Sequence, residues 1–70
     1  MDWMKMRNKK VRLTSKKRNC DFLGYFQISA LDLVQDAGEM KLFKIGKELN
    51  WRTNRASLLN LILKGYLEVV

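Results

Sequence analysis

The 70-residue sequence has no histidine and only one cysteine, and these absences exclude several kinds of chemical site. Zinc sites made of cysteine and histidine, cysteine–histidine nucleophiles and disulfide frameworks need more of these residues than one chain holds. The single cysteine, Cys20, fits a small buried apolar side chain, and an intermolecular disulfide is the alternative. No glycine-rich loop suited to cradling a phosphate is present either. We therefore expect no catalysis, no cofactor and no metal.

Long apolar segments are missing as well. No apolar run approaches the roughly 18 residues of a membrane-spanning helix, and the N-terminus lacks the apolar core of a signal peptide. A domain of this length buries only about 60% of the surface its unfolded chain exposes, which leaves little room for an enzyme pocket. These features predict an intracellular protein, cytoplasmic or nucleoid-associated, with neither a membrane partner nor a small-molecule substrate.

Positive charge is abundant and unevenly distributed. Residues 1–18 contain eight Lys or Arg and one acidic residue, whereas residues 19–70 contain six of each sign. This division predicts a flexible basic arm at 1–18 and a neutral folded domain at 19–70. The arm is either a solubilising tail or an interaction tail that contacts phosphates, and we expect its first ten or so residues to be mobile without a partner. Its candidate nucleic-acid-binding residues are Lys9, Lys10, Arg12, Lys16, Lys17 and Arg18.

A helical stripe follows the arm. Leu23, Phe26, Ala30 and three later apolar residues recur at intervals of three and four up to Ala37. The pattern predicts a helix that begins securely at Ser29, whose hydroxyl can cap it, and that ends at Gly38. An earlier start near Asp21 is left open. The aromatic side chains Phe22, Tyr25 and Phe26 are predicted to lie in the core or an interface rather than to stack on bases.

The stretch from Leu42 to Val70 changes pattern three times. After a brief extended segment at 40–42, apolar spacing predicts a second helix, a polar break covers 50–54, and a third helix continues to Lys64 and Gly65. Residues 66–70 then have the pattern of a strand. Two short helices joined by a polar turn are typical of a helix-turn-helix, and Gly46 would let its helices approach closely; the alternative is that Gly46 is a weak point in a surface helix.

Polar and basic residues concentrate at the turn. In a helix-turn-helix the start of the third helix faces base edges, where Arg matches guanine and Asn matches adenine. Ordinary surface polarity is the alternative for any one of these positions. The candidate DNA-contacting residues here are Arg52, Thr53, Asn54, Arg55 and Ser57, together with Lys44 and Lys47, which lie along one side of the second helix.

Three segments of the chain resemble the winged-helix family of DNA-binding domains. They are ALDLV at 30–34, KIGKEL at 44–49 and SLLNLILKGYLEV at 57–69, and together the resemblance covers roughly residues 26–70. It implies a mainly α, three-helix domain with a short C-terminal strand and a reduced wing, whose third helix enters the major groove. It also implies base and phosphate contacts at 52–55 and 57.

A wing needs a second strand beside residues 66–70. The candidates are 40–42, the alternating segment Val11–Leu13, or the same strand of a second copy in a homodimer. The sequence thus predicts a small sequence-preferring DNA-binding protein, either a transcriptional regulator or an accessory DNA-architecture factor. The alternative is a protein-interaction module that modulates a larger machine such as a polymerase, and RNA binding by the arm is a third possibility.

Overall fold

The computed structural model describes residues 2–19, 21–50 and 55–70. In these ranges the chain forms a small mixed domain of four helices and one antiparallel sheet of three strands. The three predicted helices are present, but the helix nearest the N-terminus was not predicted, and the sheet is larger than the predicted single strand with a reduced wing. The elements are α1 (Trp3–Met6), β1 (Lys10–Leu13), α2 (Tyr25–Ala37), β2 (Glu39–Lys41), α3 (Leu42–Glu48), α4 (Arg55–Leu63) and β3 (Leu67–Val69).

Helix α2 begins one turn earlier than its predicted secure start. The side-chain oxygen of Gln27 accepts a hydrogen bond from the Gly24 N–H at 3.3 Å, which fixes the start of the helix there. Ser29 is therefore not the cap; it lies inside the helix, and its hydroxyl donates to the carbonyl of Tyr25 at 3.1 Å. The predicted end is confirmed, because Gly38 has a φ of 83° and its N–H donates to the carbonyl of Val34.

The sheet order is β2-β1-β3, and β1 runs antiparallel to both neighbours. Val11 at its centre is completely buried and lies opposite Met40 on one side and Val69 on the other. Of the three partners considered for the last strand, the segment Val11–Leu13 is the one that pairs with it. The sheet is thus completed by a strand from the N-terminal part of the chain.

The boundary predicted at residue 18 does not separate an arm from a domain. Trp3 is buried, with 9% of its surface exposed, and the Asp2 side chain caps α1 by accepting from the Met4 N–H. The carbonyls of Arg7 and Lys9 accept the first two N–H groups of α3. Residues 2–13 belong to the folded domain because Trp3 and Val11 are buried in the core while most of the charges in this range face water.

The core lies between the sheet and helices α2, α3 and α4. Gly46 is buried within α3, so it is not a weak point on a surface helix. Among the described ranges, none of the helices has the length and apolar character needed to cross a membrane. The largest completely buried side chains are Leu31, Leu42, Ile45, Leu58, Leu61, Leu67, Val11 and Val34.

Candidate nucleic-acid interface

The structure describes only two of the five residues predicted to contact DNA at residues 52–57. Arg52, Thr53 and Asn54 lie outside the described residues. Arg55 begins α4 and is exposed, with its guanidinium carbon 5.6 Å from the centre of the Trp3 ring. Ser57 is half-buried, and its carbonyl accepts a hydrogen bond from the Gln27 side chain at 3.0 Å. Of these two residues, Arg55 is thus the exposed one.

The outward face of α4 carries a polar residue that the prediction did not include. Ala56, Asn60 and Leu63 are all exposed and lie three or four residues apart, so they share one side of the helix. Asn60 has an amide that could contact a base edge or a phosphate. Sequence reasoning missed it because the predicted contacts stopped at the first turn of the helix.

Two of the predicted phosphate-binding arginines are already neutralised. The Arg12 Nε donates to Glu68 Oε1 at 2.6 Å, and the hydrogen bond and charge of Glu68 raise the pKa of the Arg12 guanidinium. Arg18 forms an ion pair with Asp32 and a hydrogen bond of 3.0 Å with Gln35. These arginines carry charge, but carboxylates compensate it, so they add little to the attraction for phosphate.

Lys16 and Lys17 lie at the far end of α4. The Lys16 ammonium donates to the carbonyl of Lys64 at 2.5 Å and sits 4.7 Å from the centre of the Tyr66 ring. Lys17 is exposed, and both lysines line one shallow pocket. Because the nine residues of α4 span about 13 Å, these lysines are separated by a helix length from Arg55.

A basic cluster forms where β1, β2 and the start of α3 meet. Lys10 lies directly opposite Lys41 in the β1–β2 pair, and Lys44 follows in the first turn of α3. All three side chains are exposed, and no ion pair among the described residues joins them to a carboxylate. Like charges directly opposite each other weaken a sheet. We name as the basic cluster the residues Arg7, Lys9, Lys10, Lys41 and Lys44.

Arg7 connects the cluster to the start of α4. Its guanidinium carbon lies 5.6 Å from the centre of the Phe43 ring, and its buried Nε has no hydrogen-bond partner in the part of the chain that the structure describes. The Arg7 backbone N–H donates to the carbonyl of Trp3, and the Trp3 ring lies beneath the Arg55 guanidinium. Helix α1 therefore links the basic cluster to the exposed arginine of α4.

Lys44 and Lys47 of α3 are both exposed, as expected for phosphate-contacting residues. Glu48 lies one turn after Lys44, but no ion pair joins the two. The Glu48 side chain lines a pocket with Tyr25 and Phe26, and because it lies four residues after Lys44 it is on the same side of α3. Glu48 therefore borders the basic surface without forming an ion pair with Lys44.

The cluster borders a shallow pocket of about 400 Å³ between α2, β2 and α3. One carboxylate, that of Glu39, also lines it, and Glu39 lies opposite Arg12 in the sheet. Several unpaired ammonium groups at the rim can each contact a phosphate oxygen. Within the described ranges, no group of three or more acidic, histidine or cysteine side chains could hold a metal ion.

Arg7 and Lys41 were not among the predicted site residues. The alternation at Val11–Leu13 suited a strand and 40–42 was expected to be extended, but only the register shows that Lys10 and Lys41 meet. No protein family, curated protein or solved structure matches this chain.

Proposed function

We propose that this protein binds double-stranded DNA through the basic cluster and the start of α4, as an intracellular transcriptional regulator or accessory DNA-architecture factor. The observation that carries the proposal is the pairing of Lys10 with Lys41, followed by Lys44. Lys10 and Lys41 repel each other, and no described carboxylate forms an ion pair with either of them, so this pair lowers the stability of the sheet. Phosphate groups would relieve that repulsion.

Most of the affinity would come from phosphate contacts. Each contact releases counterions from the duplex, so the logarithm of the binding constant falls by about 0.9 for each tenfold rise in salt per phosphate contacted. A basic cluster of five residues is enough to make binding strongly salt-dependent. Arg12 and Arg18 contribute less because Glu68 and Asp32 neutralise them.

Sequence preference would come from α4. Helices α2, α3 and α4 with β3 occur in the chain order that the winged-helix resemblance implies, and β1 provides the second strand beside β3. In this arrangement the start of α4 would enter the major groove, with Arg55 reaching a base edge and Asn60 further along the exposed side. Helix α1, packed beside Arg55, then occupies the flank of the reading helix.

The proposal can be tested by titrating the isotopically labelled protein with random-sequence duplex DNA at two salt concentrations. We expect amide shifts at residues 7–10, 41–44 and 55–60 that shrink strongly at the higher salt. Shifts at 7–10 and 41–44 alone would show that α4 does not contact the DNA. No shift in any of these segments at low salt would contradict DNA binding by this surface.

A second function, protein recognition, is favoured by two exposed apolar side chains. Tyr25 has 90% of its surface exposed and Leu63 has 67%, and neither belongs to the basic cluster. The sequence predicts a core or an interface position for Tyr25, and this exposure excludes the core. A protein partner, or a second copy of the chain, would cover these side chains. Protection of Tyr25 on binding a partner, with residues 7–10 unaffected, would favour this alternative.

A further inference from the structure

A second positively charged site lies at the end of α4 remote from Arg55. It is a shallow pocket of about 470 Å³ that contains three lysines and no carboxylate. It shares no residue with the basic cluster, so the two can be tested separately. We name it the aromatic–lysine pocket, and its lining residues are Lys16, Lys17, Asn19, Phe22, Lys64 and Tyr66.

Hydrogen bonds to backbone carbonyls hold two of the three lysine ammonium groups near the pocket. Lys16 donates to the carbonyl of Lys64, and Lys64 donates to the carbonyl of Phe22 at 3.2 Å. Each lysine ammonium has three N–H donors, so both keep donors for a ligand. Lys17 is exposed and makes no hydrogen bond or ion pair with the described residues. The pocket therefore presents positive charge in a partly fixed arrangement.

Phe22 supplies a flat apolar surface beside these charges. Phe22 is 71% exposed, so of the two positions predicted for it, core or interface, the core is excluded. Hydrogen bonds fix the Phe22 backbone, because its N–H donates to the carbonyl of Asn19 at 3.0 Å and its carbonyl accepts from the Lys64 ammonium. Sites that bind single-stranded nucleic acids combine an aromatic ring on which a base stacks with cations that bind phosphates. The exposed Phe22 and the three lysines, which no carboxylate in the pocket neutralises, provide both.

We propose that the aromatic–lysine pocket binds a segment of single-stranded nucleic acid, with one base stacked on Phe22 and the flanking phosphates on Lys16, Lys17 and Lys64. Nucleic acid fits better than an acidic peptide because the apolar element is an open ring face rather than a deep cavity for an aliphatic side chain. The pocket lies about 13 Å along α4 from the proposed duplex surface. One molecule could therefore hold a duplex at one end of α4 and an unpaired strand at the other.

Fluorescence anisotropy with a labelled oligothymidylate tests the site on the full chain. Stacking contributes enough that Phe22→Ala should weaken binding about 5- to 150-fold. Phe22→Trp should bind at least as tightly as the wild type, because it retains a stacking surface. Lys17→Gln should weaken binding and reduce the salt slope by about 0.7, the value for one phosphate contact on a single strand.

Two matched variants serve as controls. Tyr25→Ala removes an exposed aromatic ring outside the pocket, and Lys5→Gln removes one exposed positive charge elsewhere. Both should bind the oligonucleotide like the wild type. Circular dichroism of each variant confirms that the fold is kept, which is expected because Phe22 is mostly exposed.

Either of two results with the oligonucleotide would overturn the proposal. One is unchanged oligonucleotide binding by Phe22→Ala, and the other is wild-type binding by Phe22→Leu, which keeps an apolar side chain without a ring to stack.

Duplex binding measured in parallel keeps this proposal separate from the proposed function. Phe22→Ala should leave duplex affinity unchanged, and an equal loss for duplex and single strand would show that there is no separate site.

Discussion

Lys10 of β1 lies directly opposite Lys41 of β2, and both side chains are exposed on the same face of the sheet. Such a like-charge pair works against folding, whereas an opposite-charge pair at the same position contributes roughly 0.2 to 1 kcal/mol. The neighbouring positions show the favourable arrangement, since Arg12 lies opposite Glu39 and Glu68. The chain thus uses complementary charge in one row of the sheet and repulsion in the next.

Replacing Lys41 with Glu should stabilise the protein and weaken DNA binding. The variant converts repulsion with Lys10 into attraction, so the free energy of unfolding should rise by about 0.2 to 1 kcal/mol. Duplex affinity should fall at the same time, because two phosphate-binding charges are lost. Urea denaturation and anisotropy with a labelled duplex measure the two effects. A less stable Lys41→Glu protein, or one with unchanged affinity, would contradict the assigned role.

Replacing Glu68 with Gln should strengthen duplex binding. The change removes the carboxylate that forms an ion pair with Arg12 and leaves only Glu39 opposite it, with no ion pair between the two, so the guanidinium can bind a phosphate. The salt slope should steepen by up to about 0.9, the value for one added contact. Arg12→Ala in the otherwise unchanged protein is the matched control, and it should have little effect. If Arg12→Ala weakens binding as much as Lys10→Ala does, Arg12 is a direct ligand despite its ion pair.

Replacing Trp3 with Ala should destabilise the whole domain. Trp3 is buried beside α4, and deleting a buried aromatic side chain costs roughly 3 to 5 kcal/mol. Met4→Ala is the control in the same helix, because Met4 is 66% exposed and its loss should change stability by less than about 0.5 kcal/mol. Urea denaturation monitored by circular dichroism gives both values. Equal stability of the two variants would show that the N-terminal helix is not part of the folded unit.

Local patterns in the sequence were enough to predict much of this fold. The apolar spacing predicts α3 and α4, Gly38 predicts the end of α2, and the final alternation predicts β3. Each of these signals lies within a few residues of the feature it predicts. The prediction of Ser29 as the cap was wrong, and the earlier start that the sequence left open is the one observed, because the Gln27 side chain accepts from the Gly24 N–H one turn before Ser29.

The N-terminal third of the chain was the least predictable from sequence. Counting charges over residues 1–18 suggests an arm, but the count hides that Val11 and Trp3 are buried while Lys10 and Arg12 face water. A strand at the centre of a sheet can carry strong charge if all of it points to one side. The apolar side chains, not the net charge, decided where this segment folds.

The candidate site depends on contacts between residues far apart in sequence. Lys10 meets Lys41 only through the strand register, and Arg12 meets Glu68 from 56 residues away. Sequence reasoning could therefore list the basic residues but could not separate the free ones from the neutralised ones. The exposed Phe22 beside Lys17 is a similar case, because its apolar character predicted burial or an interface.

The salt dependence of duplex binding tests the central claim most directly. The comparison is between the wild type and a protein carrying Lys10→Gln, Lys41→Gln and Lys44→Gln together, with Lys17→Gln, at the far end of α4, as the control for lost charge. If the basic cluster contacts phosphates, the slope of log affinity against log salt should shrink by about 0.9 for each lysine removed, and Lys17→Gln should leave the slope for duplex DNA unchanged. A triple variant with the same slope and affinity as the wild type would contradict the claim.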